Sequence, residues 1–242
     1  MNLCVDQGNS KTKVGVFNQN KLIETFSYEQ FGENEILLLV KRFSIDFCIV
    51  SSVISDDYFI IDCLKNHIKT VIELSYKTKI PIENRYSTPE TLGKDRLAGV
   101  VGATTIKPNN DILVIDAGTA ITYDFIDSNG NYLGGNIAPG LNLRLRSLHE
   151  YTRKLPLIEP KNESQLIGNS TESAILSGAL YGIVFEIDGY IDALKIKYPQ
   201  LSTFLTGGST FYFNTKLKNA IFAERNLVLI GLNRILQYNV QK

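Results

Sequence analysis

Tryptophan is absent from these 242 residues, histidine occurs twice and cysteine three times. His67 and His149 are too far apart in sequence to suggest a local metal site, and neither is assigned to catalysis. Cys4, Cys48 and Cys63 are odd in number, sit among apolar residues and lack metal-ligand spacing, so they read as buried reduced thiols of a cytoplasmic protein. An excess of charge is missing too: 25 Lys and Arg balance 25 Asp and Glu, whereas a dedicated nucleic-acid binder would be strongly basic. No apolar run approaches the roughly 18–20 residues that cross a bilayer. The chain passes from Met1 directly into the strand-like Leu3-Cys4-Val5 with no basic segment or cleavage site, so neither membrane insertion nor export is expected. Neither G-x-x-x-x-G-K-[ST] nor G-x-G-x-x-G occurs, which removes P-loop and Rossmann nucleotide binding.

What is present is a repeat. LCVDQGNSKTKVGVF at 3–17 has the grammar of LVIDAGTAITYDFID at 113–127, Asp6 aligning with Asp116 at an offset of 110 residues. Each copy is an apolar strand, Asp-x-Gly, small residues and a second strand, followed by a turn into a third. The rest alternates short apolar runs with helical patterns: strands at 45–52 and 70–74, helices near 55–68, 94–106 and 170–197. These signals predict an α/β protein of two related lobes, 1–109 and 110–242, divided at the turn-rich Lys107-Pro108-Asn109-Asn110.

A strand that ends in aspartate and turns through glycine puts a carboxylate beside bare backbone N–H groups, an arrangement suited to Mg·ATP. The expected ATP-binding stretch is Asp6, Gln7, Gly8, Asn9, Ser10, Lys11, Thr12 and Lys13, with Asp6 and Asp116 managing cations or their waters. One Asp-x-Gly alone reads as an ordinary hairpin turn. Two copies in equivalent positions resemble the phosphate loops of the sugar kinase, heat-shock chaperone and actin superfamily. That resemblance implies duplicated ribonuclease H-like, actin-like ATPase domains, with mixed sheets flanked by helices.

Three further segments narrow the match: Y-S-T-P-E-T-L-G-K-D-R-L-A at 86–98, G-G-N-I-A-P-G at 134–140 and T-E-S-A-I at 171–175. With the two hairpins they resemble type III pantothenate kinase from Cys4 to about Gly208. The resemblance implies ATP-dependent phosphorylation of pantothenate in coenzyme A synthesis, with Asp95 as general base. Substrate contacts would fall on Tyr86, Gly93, Lys94, Asp95, Arg96 and Thr171, ATP contact on Thr119, and a monovalent cation, K+ or NH4+, on Asp116. Mg2+ would accompany ATP near Asp6, directly or through water. A cytoplasmic homodimer is implied, with the long apolar helix beginning at Thr171 as core or interface and close helix packing at Gly178 and Gly182. Gly134-Gly135 and Pro139-Gly140 are expected to shape a tight turn near the substrate, and Thr206-Gly207-Gly208 to lie near the adenosine. Ser209 stands where many family members have aspartate, and Ser10 and Lys94 replace common threonines. The alternatives are a non-catalytic nucleotide-binding regulator of this fold, or a kinase for another small hydroxyl substrate. A ribonuclease H-type metal nuclease is disfavoured by the neutral charge balance.

Overall fold

The computed structural model describes residues 1–8, 11–52, 58–162, 165–213 and 215–240. The chain forms two compact units: Met1–Pro108 with Gly130–Tyr132 and Asn226–Lys242, and Asn109–Asn129 with Leu133–Arg225.

The first unit opens with β1 (Asn2–Gln7), β2 (Thr12–Asn18) and β3 (Lys21–Tyr28), then α1 (Glu33–Arg42), β4 (Phe47–Ser52), α2 (Tyr58–His67) and β5 (Thr70–Glu73). Its sheet runs β3-β2-β1-β4-β5, with β1–β2 and β2–β3 antiparallel and β1–β4 and β4–β5 parallel. The central strands β1 and β4 are apolar on both faces, as strands covered by helices on both sides must be. Leu3, Val5, Val14, Val16, Cys48 and Val50 pack with Ile36 and Leu39 of α1 and Ile60, Cys63 and Leu64 of α2. The alternate residues Cys4 and Ile49 belong to the opposite face. β6 (Glu83–Asn84) follows, paired in parallel with Asn131 and Tyr132, and then α3 (Lys94–Ile106).

The second unit repeats the plan with β7 (Ile112–Ala117), β8 (Ala120–Ile126), β9 (Asn131–Pro139), α4 (Leu141–Glu150), α5 (Thr171–Lys197), β10 (Ser202–Thr206) and β11 (Phe222–Ala223). Strand order β9-β8-β7-β10-β11 matches β3-β2-β1-β4-β5 strand for strand, so the duplication seen in the sequence is a duplication of topology. Ile175, Leu176, Ala179, Leu180, Ile183, Val184, Ile187 and Ile191 of α5 are all buried in this unit's core with Leu113, Ile115, Tyr123 and Leu205. By length and composition α5 could cross a bilayer, yet more than half of its apolar window is buried inside the protein. On its other face a β-carbon at Gly178 would meet open space, and one at Gly182 only Arg144 Nη1 at 3.7 Å, so among the described residues of this chain no helix packs closely there.

The chain ends with α6 (Leu227–Val240), which lies in the first unit. The division therefore differs from the expected 1–109 and 110–242, because α6 covers the Cys4–Ile49 face of the first sheet together with α3. The two helices touch backbone to backbone: a β-carbon at Gly102 would fall 2.2 Å from Leu227 O, and one at Gly231 1.8 Å from Ala98 O. Asn233 adds polar ties, accepting from Asn2 Nδ2 at 2.8 Å and donating to Gln19 O at 2.8 Å.

Candidate active site

In the first unit, β1 carries Asp6 to the mouth of the hairpin, opposite Lys13 on β2 and Ser51 on β4. Gly8 N donates to Lys11 O at 3.1 Å and closes the turn. Side-chain alternation puts Asp6 and Lys13 on one face and Gln7 and Thr12, both buried, on the other. Lys11 is exposed and pairs with Glu29 at 3.8 Å. Asn9 and Ser10 lie outside the described residues.

The Gly93–Arg96 motif starts α3. Gly93 is the N-cap, and the half-buried Asp95 accepts a hydrogen bond from Arg96 N at its Oδ1, 2.9 Å. A carboxylate here is favoured by the unpaired N–H groups and positive dipole end of the first turn. Glycine at 93 makes room for it, since a β-carbon would stand 2.6 Å from Asp95 Oδ1. Lys94 reaches Glu73 of β5 at 3.6 Å. Arg96 is 8% exposed, its guanidinium 5.6 Å from the centre of the Tyr86 ring and donating to Tyr132 Oη at 3.2 Å. Tyr86 and Tyr132 stack at 6.1 Å, and Tyr86 N donates to Asn84 Oδ1 at 3.0 Å. The β6–β9 pairing thus fixes the two rings that hold Arg96.

In the second unit Asp116 ends β7, opposite Thr122 on β8 and Thr206 on β10. Gly118 N donates to Ala120 O at 3.1 Å, closing a turn one residue shorter than that of the first copy, with Thr119 exposed at its tip. Two loops pack onto this hairpin through glycine. Gly140 N donates to Thr119 O at 3.0 Å, and a β-carbon there would lie 2.5 Å from the carbonyls of Gly118 and Thr119. Gly207, at φ +98°, passes so near that a β-carbon would meet Asp116 Oδ1 at 2.5 Å; Ser209 N donates to Ala117 O at 3.0 Å. Thr206-Gly207-Gly208 is thereby set against the second hairpin.

Gly134 and Gly135 lie inside β9 rather than in a tight turn. Gly135 lets β9 cross β8 at a distance where a β-carbon would be 1.9 Å from Tyr123 O. The junction Pro139-Gly140 is held by Arg144, whose Nε donates to Pro139 O at 2.8 Å and whose Nη2 reaches Glu186 Oε2 at 2.7 Å. Tyr123 Oη donates to Glu186 Oε1 at 2.6 Å. Burial first, and that bond to a carboxylate second, push the Tyr123 phenol well above its ordinary range, so it remains a donor. Thr171 is exposed in the first turn of α5, behind a Ser170 N-cap that accepts from Ser173 N at 3.2 Å.

Sequence reasoning missed Tyr132, Ser51 and Thr122. Ser51 Oγ and Thr122 Oγ1 are buried without a hydrogen-bond partner among the described residues, and each stands in register with one of the two hairpin aspartates. A carboxylate with an unsatisfied hydroxyl beside it is an oxygen-rich donor set that fits a hard cation or its waters. Nothing local marks these hydroxyls; only strand register does.

Two sheets of one topology, each ending in an Asp-x-Gly hairpin, define the class: a protein of the fold shared by actin-like ATPases and sugar kinases. The activator of 2-hydroxyisocaproyl-CoA dehydratase from Clostridium difficile, solved with ADPNP, is similar over 98% of this chain and 93% of its own at 11% identity, TM-score 0.54. The ROK hexokinase of Thermus thermophilus is similar over 99% of both chains at 12% identity, TM-score 0.53. A Campylobacter jejuni protein described as belonging to the Baf family of transcriptional activators is similar over 98% of both chains at 24% identity, TM-score 0.64. A family model described as Type III pantothenate kinase matches residues 2–193. Type III pantothenate kinases of Phocaeicola vulgatus and Bacteroides fragilis are 48% and 46% identical over 239 residues, covering 99% of this chain and 99% and 98% of theirs. The chain belongs to the type III pantothenate kinase family.

Proposed function

We propose that this chain transfers the γ-phosphate of ATP to the primary hydroxyl of pantothenate, giving 4′-phosphopantothenate for coenzyme A synthesis, with Asp95 as the proton acceptor. Near full-length kinship at 48% identity carries the reaction, and the half-exposed Asp95 carboxylate at a helix start supports its role. Phosphoryl transfer to an alcohol needs little covalent chemistry from the protein: a positioned hydroxyl, a base, and positive charge around the phosphoryl oxygens. Asp95 takes the hydroxyl proton as the oxygen attacks in line. Lys13 and the neighbouring residues of the first Asp-x-Gly stretch, Asn9 and Ser10 among them, are assigned to phosphate binding, and Thr119 to ATP contact. Arg96, immobilised between Tyr86 and Tyr132, reads the vitamin's carboxylate or orients Tyr86 toward it, beside Gly93 and Lys94; Thr171 completes the substrate contacts. Mg2+ near Asp6 and a monovalent cation near Asp116 would supply countercharge to the triphosphate.

The enzyme acts as a cytoplasmic homodimer built on α5, whose outer face shows Gly178, Phe185, Gly189 and Ile196, all exposed. A coupled assay for ADP release, with and without pantothenate and in potassium and then sodium, tests the activity. Turnover that requires pantothenate and rises in potassium is expected. Turnover indifferent to pantothenate, or none, would favour a nucleotide-binding regulator.

A further inference from the structure

Cys63 and His67 stand four residues apart on α2, a spacing that places two side chains on one helix face. Glu33, the first residue of α1, brings a carboxylate from the neighbouring helix. One donor atom from each, an oxygen, the Sγ and a ring nitrogen, all lie within 4.8 Å of one another. α1 and α2 cover the Leu3–Val5 face of the first sheet, opposite the face on which α3 carries Asp95, so the cluster has no part in the site already described. We propose that Glu33, Cys63 and His67 form a binding site for one divalent transition metal ion, Zn2+ in the first instance.

The donor set selects the ion. Thiolate, imidazole and carboxylate together suit Zn2+ and its neighbours such as Co2+, whereas Mg2+ and Ca2+ sites are built from oxygen. Charge also matches, because one carboxylate and one thiolate balance a dication and leave the imidazole neutral. Tetrahedral coordination at ~2.0–2.3 Å sets donors roughly 3.3–3.8 Å apart, about an ångström closer than the cluster's limit. Glu33 and His67 are exposed and have the freedom to close that gap onto Cys63, which is 6% exposed and fixed in the core. Burial first, and the charge of Glu33 second, push the Cys63 thiol up. Coordination as thiolate releases the Cys63 proton to solvent. His67 belongs to the last turn of α2, where the helix dipole favours positive charge. Three protein donors leave a fourth position for water or an added ligand, and the bound ion ties α1 to α2.

The test uses the full chain, stripped with a chelator and titrated with Zn2+ against a chromophoric competitor and with Co2+ by absorption. One ion per chain is expected, with a thiolate-to-cobalt charge-transfer band that Cys63→Ser abolishes. Glu33→Gln and His67→Gln alter exposed side chains, should fold as the parent by circular dichroism, and should each weaken Zn2+ binding by about 10-fold or more. These two variants decide the matter even if Cys63→Ser does not fold. No bound ion on folded parent protein, a Co2+ spectrum without the thiolate band, or Zn2+ affinity unchanged in both exposed variants would overturn the proposal.

Discussion

Asp95 and Gly93 work as a pair: the carboxylate occupies the space that a side chain at 93 would fill. Asp95→Asn keeps the shape and the first-turn hydrogen bond but removes the basicity. Its kcat should fall about 10²–10⁴-fold, with a thermal midpoint close to the parent's, as steady-state kinetics and calorimetry on one preparation would show. Gly93→Ala should produce the same split by another route, because its β-carbon, 2.6 Å from Asp95 Oδ1, displaces the far end of a mobile side chain. A variant that loses stability instead of turnover would show that the helix start, and not the carboxylate, absorbs the strain. Gly207→Ala differs, being opposed by a positive φ and by Ala117 backbone atoms at 2.6 Å, so both stability and turnover should drop. Glycine and aspartate positions at this scale are legible from sequence because loop chemistry is local. Ser51, Thr122 and Tyr132 are not, since each enters the site through its partner across a sheet.

Among elements, the helical pattern at 94–106 corresponds to α3, Lys94–Ile106, whose apolar residues are not confined to one stripe. Every residue from Arg96 to Ala103 is buried, which removes the usual polar face. Gly102 of α3 and Gly231 of α6 explain how the two helices share so little space. Gly231→Ala would drive a β-carbon to 1.8 Å from Ala98 O, and backbone must move to admit it. A loss of about 1–3 kcal/mol or more is expected, measurable as a lower urea midpoint. α6 is not among the helices read from the sequence, and which sheet it covers depends on tertiary packing that no local pattern states. The same gap explains Gly134-Gly135, where a glycine pair that reads as a turn instead lies in β9 and allows its close approach to β8.

For the whole molecule, the doubled topology was the most legible property of all, since an apolar strand running into an Asp-x-Gly turn recurs in both copies. Assembly is another matter, because exposure of an apolar face emerges only from the fold. Phe185, 60% exposed on α5, should anchor the proposed dimer, and Phe185→Glu should then shift elution from dimer to monomer in size-exclusion chromatography with light scattering. An unchanged dimer would move the interface elsewhere.

The placement of α6 has a consequence for synthesis on the ribosome. The second unit comes from residues 109–225 apart from Gly130–Tyr132, while the amino-terminal unit waits for α6 until that stretch has emerged. The half translated second can thus mature first, and the half translated first has its Cys4–Ile49 face covered by α3 alone until α6 has been made.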